Sequence, residues 1–200
     1  HEVACVIITG AGKAFSAGHD LKDIQKGERP PEPHFQAKTI QALAELPQPV
    51  VACIRGHCYT GGLELALAAD IIIAARSAKF GDTHSKWGLS PLWGMTQRLP
   101  RRVGLSKAKQ MMFTSDIFAA EAAERMGLVD ICVDDVELEQ ATNDLAQRIA
   151  ANSTYSNQVN KGLLSATDGM TAQAGLAYEL AHSPGACYDA HERVASFGKK

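Results

Sequence analysis

The sequence predicts an α/β protein with a mainly parallel sheet and a helical C-terminal region. Short apolar runs rich in β-branched residues alternate with helical stretches over the first two-thirds of the 200 residues. From about residue 106 onward, helical patterns dominate. Hydrophobic residues make up 46% of the chain, which is enough for a substantial core and argues against disorder. We therefore expect an α/β core over residues 1–105 and a helical region over residues 106–200.

Four segments carry the strand pattern. Residues 3–9 form a nearly continuous apolar run that ends at a Gly-Ala-Gly turn, and we expect this strand to be buried on both faces. The same pattern recurs at Val50–Ile54 and Ile71–Ala75, and more weakly at residues 128–133. Helices between such strands are typical of parallel sheets.

Helical periodicity fills much of the remaining chain. The predicted helices cover residues 35–46, 61–69, 93–103, 105–113, 119–126, 136–151, 156–166 and 171–182. Three prolines within residues 27–33 rule out regular pairing there and favour an exposed, extended loop. We interpret this loop as a mobile cover rather than as a linker between domains.

Charge and cysteine content exclude several classes of function. The 20 basic and 22 acidic residues give a net charge of −2, so no overall field would attract nucleic acid or an anionic membrane. Five cysteines without a C-x-x-C pair predict neither disulfides nor a zinc site and favour a reducing compartment. No apolar run reaches the roughly 20 residues that span a bilayer. We expect a cytoplasmic protein, or one of an organelle matrix if a targeting segment has been removed.

Two glycine-containing turns follow predicted strands, at the end of the sheet where α/β proteins bind ligands. Residues 15–22 read FSAGHDLK, and residues 56–64 read GHCYTGGLE. Neither turn matches G-x-G-x-x-G or G-x-x-x-x-G-K-[ST], so dinucleotide and P-loop sites are poorly supported. Backbone N–H groups at such turns can still bind an anion, whereas ordinary tight turns are the alternative for either segment alone.

Together, the two turns resemble the crotonase family, in which F-[SA]-A-G-x-D-[LI] precedes a Gly-Gly-x-Glu helix start and A-x-D-I-I-I-A. Residues 88–91, 96–104 and 119–129 also follow the order of the family's motifs, so the resemblance covers essentially the whole chain. It implies a crotonase-like (ClpP/crotonase) ββα-superhelix core, an acyl-CoA thioester substrate, and a homotrimer or dimer of trimers. Family members begin with a further segment, so we expect the sequence to lack an N-terminal portion of this core.

The resemblance implies a pair of backbone N–H donors at His19 and Gly61 that bind the thioester oxygen. This oxygen gains negative charge in an enolate, and removing one preorganised donor costs about 3–4 kcal/mol. Gly61 opens a predicted helix, whose dipole would add to the effect. Because the donor at His19 belongs to the main chain, we expect its imidazole to take no part.

Glu64 lies one helical turn after Gly61 and matches the first of two glutamates in the family's hydratases. Its apolar neighbours argue against a solvated surface position. The second glutamate position, 20 residues further on, holds His84. Histidine accepts or donates a proton near neutral pH, and Asp82 would orient the imidazole from the same side of an extended segment. A passive His84 that only shapes the pocket is the alternative.

Further residues are candidates for contact with CoA or the acyl group. These candidates are Ala17, Asp20, Leu21, Lys22 and Trp87. A solvated Lys22 is the alternative for that position, and aromatic or methionine side chains in the apolar stretch from Trp87 to Met95 more often belong to a core.

The resemblance implies an enoyl-CoA hydratase-type lyase that adds water reversibly to 2-enoyl-CoA thioesters. Glu64 would be the principal acid and base, His84 would assist, and CoA would enter as part of the substrate, with no metal or redox cofactor. The alternatives are a double-bond isomerase, an acyl-CoA hydrolase or decarboxylase, and a non-catalytic acyl-CoA-binding protein. Leu92 stands where dehalogenase-like and dienoyl-isomerase-like relatives carry an acid, which argues against those two mechanisms.

Overall fold

The computed structural model describes residues 3–27 and 31–197, and the chain groups into two compact units. The larger unit comprises residues 7–46 and 50–144, and the smaller unit comprises residues 1–6, 47–49 and 145–200. The boundary after residue 105 stays a prediction. Every residue predicted for the site belongs to the larger unit.

The strands form two sheets. In chain order they are β1 (Val6–Thr9), β2 (Val50–Ile54), β3 (His57–Tyr59), β4 (Ile71–Ala75), β5 (Lys79–Gly81), β6 (Phe118–Ala119) and β7 (Ile131–Val133). One sheet has the order β1-β2-β4-β7, and the other has the order β3-β5-β6. The pairs β2–β4, β4–β7 and β3–β5 are parallel, whereas β5–β6 is antiparallel. The prediction of a mainly parallel arrangement is therefore confirmed.

Burial differs between the centre and the edge of the first sheet. β2 is buried at every position, and β4 is buried at all but its first. The prediction that residues 3–9 are buried on both faces is wrong, because β1 starts only at Val6 and its burial alternates, with Ile7 39% exposed. β1 lies at one edge of its sheet, next to β2.

Helices follow the strands of the larger unit. They are α1 (Leu21–Lys26), α2 (Phe35–Ala44), α3 (Gly61–Ala66), α4 (Met95–Thr114), α5 (Ala120–Arg125) and α6 (Leu138–Ala151), of which α6 continues into the smaller unit. All but α1 were predicted. Of the predicted loop over residues 27–33, residues 28–30 lie outside the described part of the chain.

Helix α4 combines two predicted helices. Gly104, with φ 77° and ψ 157°, breaks the helical backbone between them. The helix begins at Met95, two residues later than predicted, because Gly94 adopts a left-handed conformation with φ 111°. The N–H of Trp93 therefore lies outside the helix.

The smaller unit is helical, with α7 (Thr154–Thr167), α8 (Ala172–His182) and α9 (Ala190–Ala195). Side-chain caps start two of these helices: Ser153 Oγ accepts from Ser156 N–H at 3.1 Å, and Thr171 Oγ1 accepts from Ala174 N–H at 3.3 Å. The predictions of α7 and α8 are confirmed, whereas α9 was not predicted. None of the helices within residues 3–27 and 31–197 is long and apolar enough to cross a membrane.

Candidate active site

The two glycine-containing turns lie against each other. Ser16 N–H donates to His57 O at 3.0 Å, and Ser16 O accepts from Tyr59 N–H at 3.0 Å, so the first turn runs along β3. A Cβ atom on Gly62 would lie 2.3 Å from Ser16 O. Only glycine therefore permits this close approach between the first turn and the start of α3.

His19 and Gly61 both line one cavity of about 380 Å³. Neither amide donates a hydrogen bond to any other group that the structure describes. A Cβ atom on Gly18 would lie 3.0 Å from Gly61 N, a measure of how closely the two turns approach. Gly61 is the first residue of α3, as predicted, but this helix has only six residues, so its dipole is weak.

Thr60 turns the chain into α3. Its φ of 52° and ψ of −115° lie in a region that favours glycine. The Thr60 hydroxyl lies 2.6 Å from Thr83 Oγ1 and accepts from Thr83 N–H at 3.2 Å, which satisfies a partly buried hydroxyl. These hydrogen bonds tie the start of α3 to the segment that carries His84.

Glu64 is a buried acid that lines the cavity, with only 1% of the residue exposed. Its Oε1 accepts from Trp93 N–H at 2.8 Å and from Met95 N–H at 3.1 Å. Burial raises the pKa of Glu64 above its ordinary value, against the lowering effects of these two donors and of His84. The alternative of a solvated surface glutamate is therefore wrong.

His84 faces Glu64 with one ring nitrogen and Asp82 with the other. Its Nε2 lies 3.8 Å from Glu64 Oε2, and its Nδ1 lies 2.5 Å from Asp82 Oδ1. We assign a proton to Nδ1, because a carboxylate only accepts hydrogen bonds. The His84 backbone N–H also donates to Asp82 Oδ1 at 3.1 Å. The two residues thus meet through a tight turn, with His84 in a helical conformation, and not along the extended segment that we predicted.

The surroundings of His84 favour its protonated form. Burial lowers the pKa of His84, but the hydrogen bond and charge of Asp82, together with the charge of Glu64, outweigh burial and raise the pKa above the ordinary 6.5. Asp82 is 1% exposed, and its Oδ2 has no hydrogen-bond partner within the described residues. A buried carboxylate with so few partners is stabilised by a positively charged neighbour.

The residues predicted to contact CoA or the acyl group divide into two sets. Ala17, Leu21 and Trp87 line the cavity, whereas Asp20 and Lys22 do not. Asp20 Oδ1 accepts from Lys22 N–H at 2.8 Å and so shapes the start of α1. Trp87 is 53% exposed, and the alternative that it belongs to the core is wrong because it lies on a 3-10 turn beside the cavity.

Sequence reasoning missed the wall that α2 and the residue before it supply. The lining residues from this region are His34, Gln36 and Ala37. Arg98 of α4 connects α2 with Trp93: its Nη1 donates to Trp93 O at 2.7 Å, and its Nη2 donates to Gln41 Oε1 at 2.6 Å. The one indication in the sequence was that α2 follows directly on the loop predicted to cover the molecule.

Comparisons with known proteins identify the family of the chain. The model of the enoyl-CoA hydratase/isomerase family matches residues 1–194. A probable mitochondrial enoyl-CoA hydratase of Dictyostelium discoideum is 35% identical, over 100% of this chain and 73% of that protein. The 1,2-epoxyphenylacetyl-CoA isomerase of Escherichia coli is 33% identical, over 98% of this chain and 78% of that protein.

Solved structures give the same result. The crystal structure of an enoyl-CoA hydratase from Bacillus anthracis matches with a TM-score of 0.90 at 34% identity, over 98% of this chain and 78% of that one. At this level of similarity, both the fold and the family are shared. The chain therefore has the crotonase fold and belongs to the enoyl-CoA hydratase/isomerase, or crotonase, family.

Proposed function

We propose that this protein is an enoyl-CoA hydratase, which adds water reversibly to the double bond of 2-enoyl-CoA thioesters. The observation that carries the proposal is the facing pair of Glu64 and His84, with 3.8 Å between Oε2 and Nε2. Hydration needs one group that takes a proton from water and one that gives a proton to carbon. Family membership supports an acyl-CoA thioester as the substrate.

In the proposed reaction, Glu64 accepts a proton from water, and the water oxygen bonds to C3 of the enoyl group. The electron pair of the C2=C3 bond moves towards the thioester oxygen, where the amides of His19 and Gly61 hold the negative charge. The imidazolium of His84 then protonates C2 from Nε2 as the thioester carbonyl re-forms. The product is a 3-hydroxyacyl-CoA.

After one turnover, Glu64 holds a proton from water and His84 has lost one. The short distance between Glu64 Oε2 and His84 Nε2 lets this proton return to the imidazole, which restores the starting state. The net change is the addition of one water. Both proton transfers use side chains of the protein, so the proposal needs no metal or redox cofactor, and CoA enters with the substrate.

The proposal extends to assembly and location. The resemblance implies a homotrimer or a dimer of trimers, and we propose one of these for this chain. We also propose a cytoplasmic or organelle-matrix location. The names of relatives support the second option, since they include a mitochondrial and a peroxisomal enoyl-CoA hydratase.

Crotonyl-CoA tests the proposal, because its enone absorbance falls as the double bond is hydrated. We expect turnover by the wild type and by Glu179→Gln, a control at an exposed glutamate of α8. In Glu64→Gln we expect kcat to fall by about 100-fold or more, the usual contribution of a general acid or base.

Three outcomes would contradict the hydratase. Binding of 2-enoyl-CoA without any turnover would leave an acyl-CoA-binding protein. Conversion of a 3-enoyl-CoA to its 2-enoyl isomer without water addition would show a double-bond isomerase. Release of free CoA would show a hydrolase.

A further inference from the structure

A second cavity, of about 270 Å³, adjoins the catalytic one. The two cavities share four lining residues: His19, Gln36, Gly61 and Trp93. Apolar side chains of α2 and α3, namely Phe35, Ile40 and Leu65, contribute to the second cavity alone. Trp93 is the largest of the shared residues and lines both cavities.

The Trp93 ring is fixed in position by its neighbours. A Cβ atom on Gly61 would lie 2.3 Å from Trp93 Cζ3, so the ring lies directly on this glycine. Its centroid is 6.1 Å from that of the His19 ring. The Trp93 N–H donates to Glu64 Oε1 at 2.8 Å, and its carbonyl accepts from Arg98 Nη1 at 2.7 Å. The backbone is thus held on both sides of the ring.

We propose that Trp93 sets the length of the acyl chain that this site accepts, because its ring closes the catalytic cavity off from the second, apolar cavity. This inference rests on the proposed function. A thioester oxygen bound by the His19 and Gly61 amides brings the first acyl carbons next to the ring that covers Gly61. The wild-type substrates are then short-chain 2-enoyl thioesters, and the second cavity receives the hydrocarbon tail of a longer substrate only when the ring is removed.

Substrate-length ratios test this proposal. The ratio of kcat/KM for 2-octenoyl-CoA to that for crotonyl-CoA is measured in the wild type, Trp93→Ala and Phe113→Ala. The ratio cancels any general loss that follows from disturbing the Trp93 hydrogen bond to Glu64. We expect Trp93→Ala to raise the ratio by about tenfold or more, since several methylene groups gain apolar contact. Phe113→Ala is the matched control, because Phe113 is an exposed aromatic residue that lines neither cavity, and its ratio stays at the wild-type value.

A second substitution refills the space. Thr39 is exposed on α2 and lines only the second cavity, so Thr39→Trp added to Trp93→Ala returns the ratio towards the wild-type value. If Trp93→Ala does not fold, Trp93→Leu takes its place in the test. Leucine keeps an apolar contact with Gly61, so we expect an intermediate ratio. An unchanged ratio in Trp93→Ala or Trp93→Leu, or an equal rise in Phe113→Ala, overturns the proposal.

Binding of unreactive thioethers separates this inference from the proposed function. Butyl-CoA and octyl-CoA thioethers bind without turnover, and their affinities are measured by calorimetry. If no enoyl-CoA is hydrated, the proposed function fails. The inference about Trp93 still holds if Trp93→Ala raises the affinity for octyl-CoA relative to that for butyl-CoA by about tenfold. If hydration occurs but this relative affinity does not change, the role of Trp93 in chain length is wrong.

Discussion

Asp82 and His84 form a buried pair in which Asp82 Oδ1 lies 2.5 Å from the imidazole Nδ1 and 3.1 Å from the His84 backbone N. The other oxygen of the same carboxylate has no hydrogen-bond partner within the described chain. His84 therefore supplies two of the hydrogen bonds that stabilise this buried carboxylate. Asp82 in turn orients the imidazole so that its Nε2 atom faces Glu64, and it favours the imidazolium form.

Replacing Asp82 with Asn removes both the hydrogen bond to a carboxylate and the charge that raise the pKa of His84. The pKa of His84 then falls, so a smaller fraction of the imidazole is protonated at and above neutral pH. Since the proposed reaction needs the imidazolium, we expect kcat/KM for crotonyl-CoA to fall by about 10- to 100-fold at mildly alkaline pH. We also expect the alkaline limb of the pH–rate profile to move to lower pH.

Asp144→Asn is the matched control, since Asp144 is an exposed acid of α6. Its pH–rate profile should follow that of the wild type. An alkaline limb that does not move in Asp82→Asn, with both proteins folded, would contradict the role of Asp82 in holding the His84 proton.

Glu64→Gln should stabilise the fold at neutral pH while it removes activity. The pKa of folded Glu64 is raised above its ordinary 4.5, so the folded protein binds this proton more tightly than the unfolded chain. Protonated Glu64 therefore stabilises the fold fully below pH 4.5. This stabilisation is lost as the pH rises through the pKa that Glu64 has in the folded protein. A glutamine carbonyl still accepts from the Trp93 and Met95 N–H groups but carries no buried charge.

Urea unfolding at several pH values measures this effect. We expect the free energy of unfolding of Glu64→Gln to exceed that of the wild type at neutral pH and to approach it near pH 4.5 or below. Glu64→Ala, by contrast, leaves the two N–H groups without their acceptor, so its free energy of unfolding should be about 1–3 kcal/mol lower than that of the wild type. A Gln variant less stable than the wild type at neutral pH would show that the hydrogen bonds of the charged form outweigh its burial.

The central strands were predictable because their burial on both faces leaves a continuous apolar run. Val50–Ile54 and Ile71–Ala75 have the predicted bounds. The three-stranded sheet was missed because its strands have only two or three residues, too few for any periodicity. The edge strand β1 keeps its apolar sequence although one set of its side chains is exposed, so sequence alone overstated its burial.

The site residues were predictable from motifs, but their surroundings depend on tertiary structure. The two N–H donors on Glu64 depend on where α4 begins, which the left-handed Gly94 decides and apolar periodicity does not show. The short distance between Asp82 and His84 depends on a turn that follows β5, where we predicted an extended segment. The contribution of α2 to the cavity arises from packing between segments far apart in the chain.

Thr60 allows a test of backbone strain next to the site. Thr60→Ala loses both hydrogen bonds to Thr83 and keeps a Cβ atom at a backbone conformation that favours glycine. We expect it to lose about 1–3 kcal/mol of stability. Thr60→Gly loses the same hydrogen bonds but relieves the strain, so it should be more stable than Thr60→Ala by about 1 kcal/mol. Chemical denaturation compares the three proteins, and equal stability of the two variants would show that Thr60 is not strained.

Gly61→Ala should disable the site through Trp93. The new Cβ atom would lie 2.3 Å from Trp93 Cζ3, so either the ring or the Gly61 amide must move. Displacing one donor of the proposed amide pair should lower kcat for crotonyl-CoA by about 100-fold. Gly162→Ala on α7 is the matched control, because a Cβ atom there meets nothing within 4 Å, and it should keep full activity.

Trp93→Leu added to Gly61→Ala tests whether the ring is the cause of that loss. Removing the ring gives the alanine methyl group room, so the Gly61 amide can return to its place beside the cavity. We expect the double variant to regain about tenfold in kcat over Gly61→Ala, which is part of the loss expected for a displaced donor. Steady-state hydration of crotonyl-CoA by both single variants and the double variant measures this coupling. If the effects of the two substitutions simply add, contact with the Trp93 ring is not what excludes a side chain at Gly61.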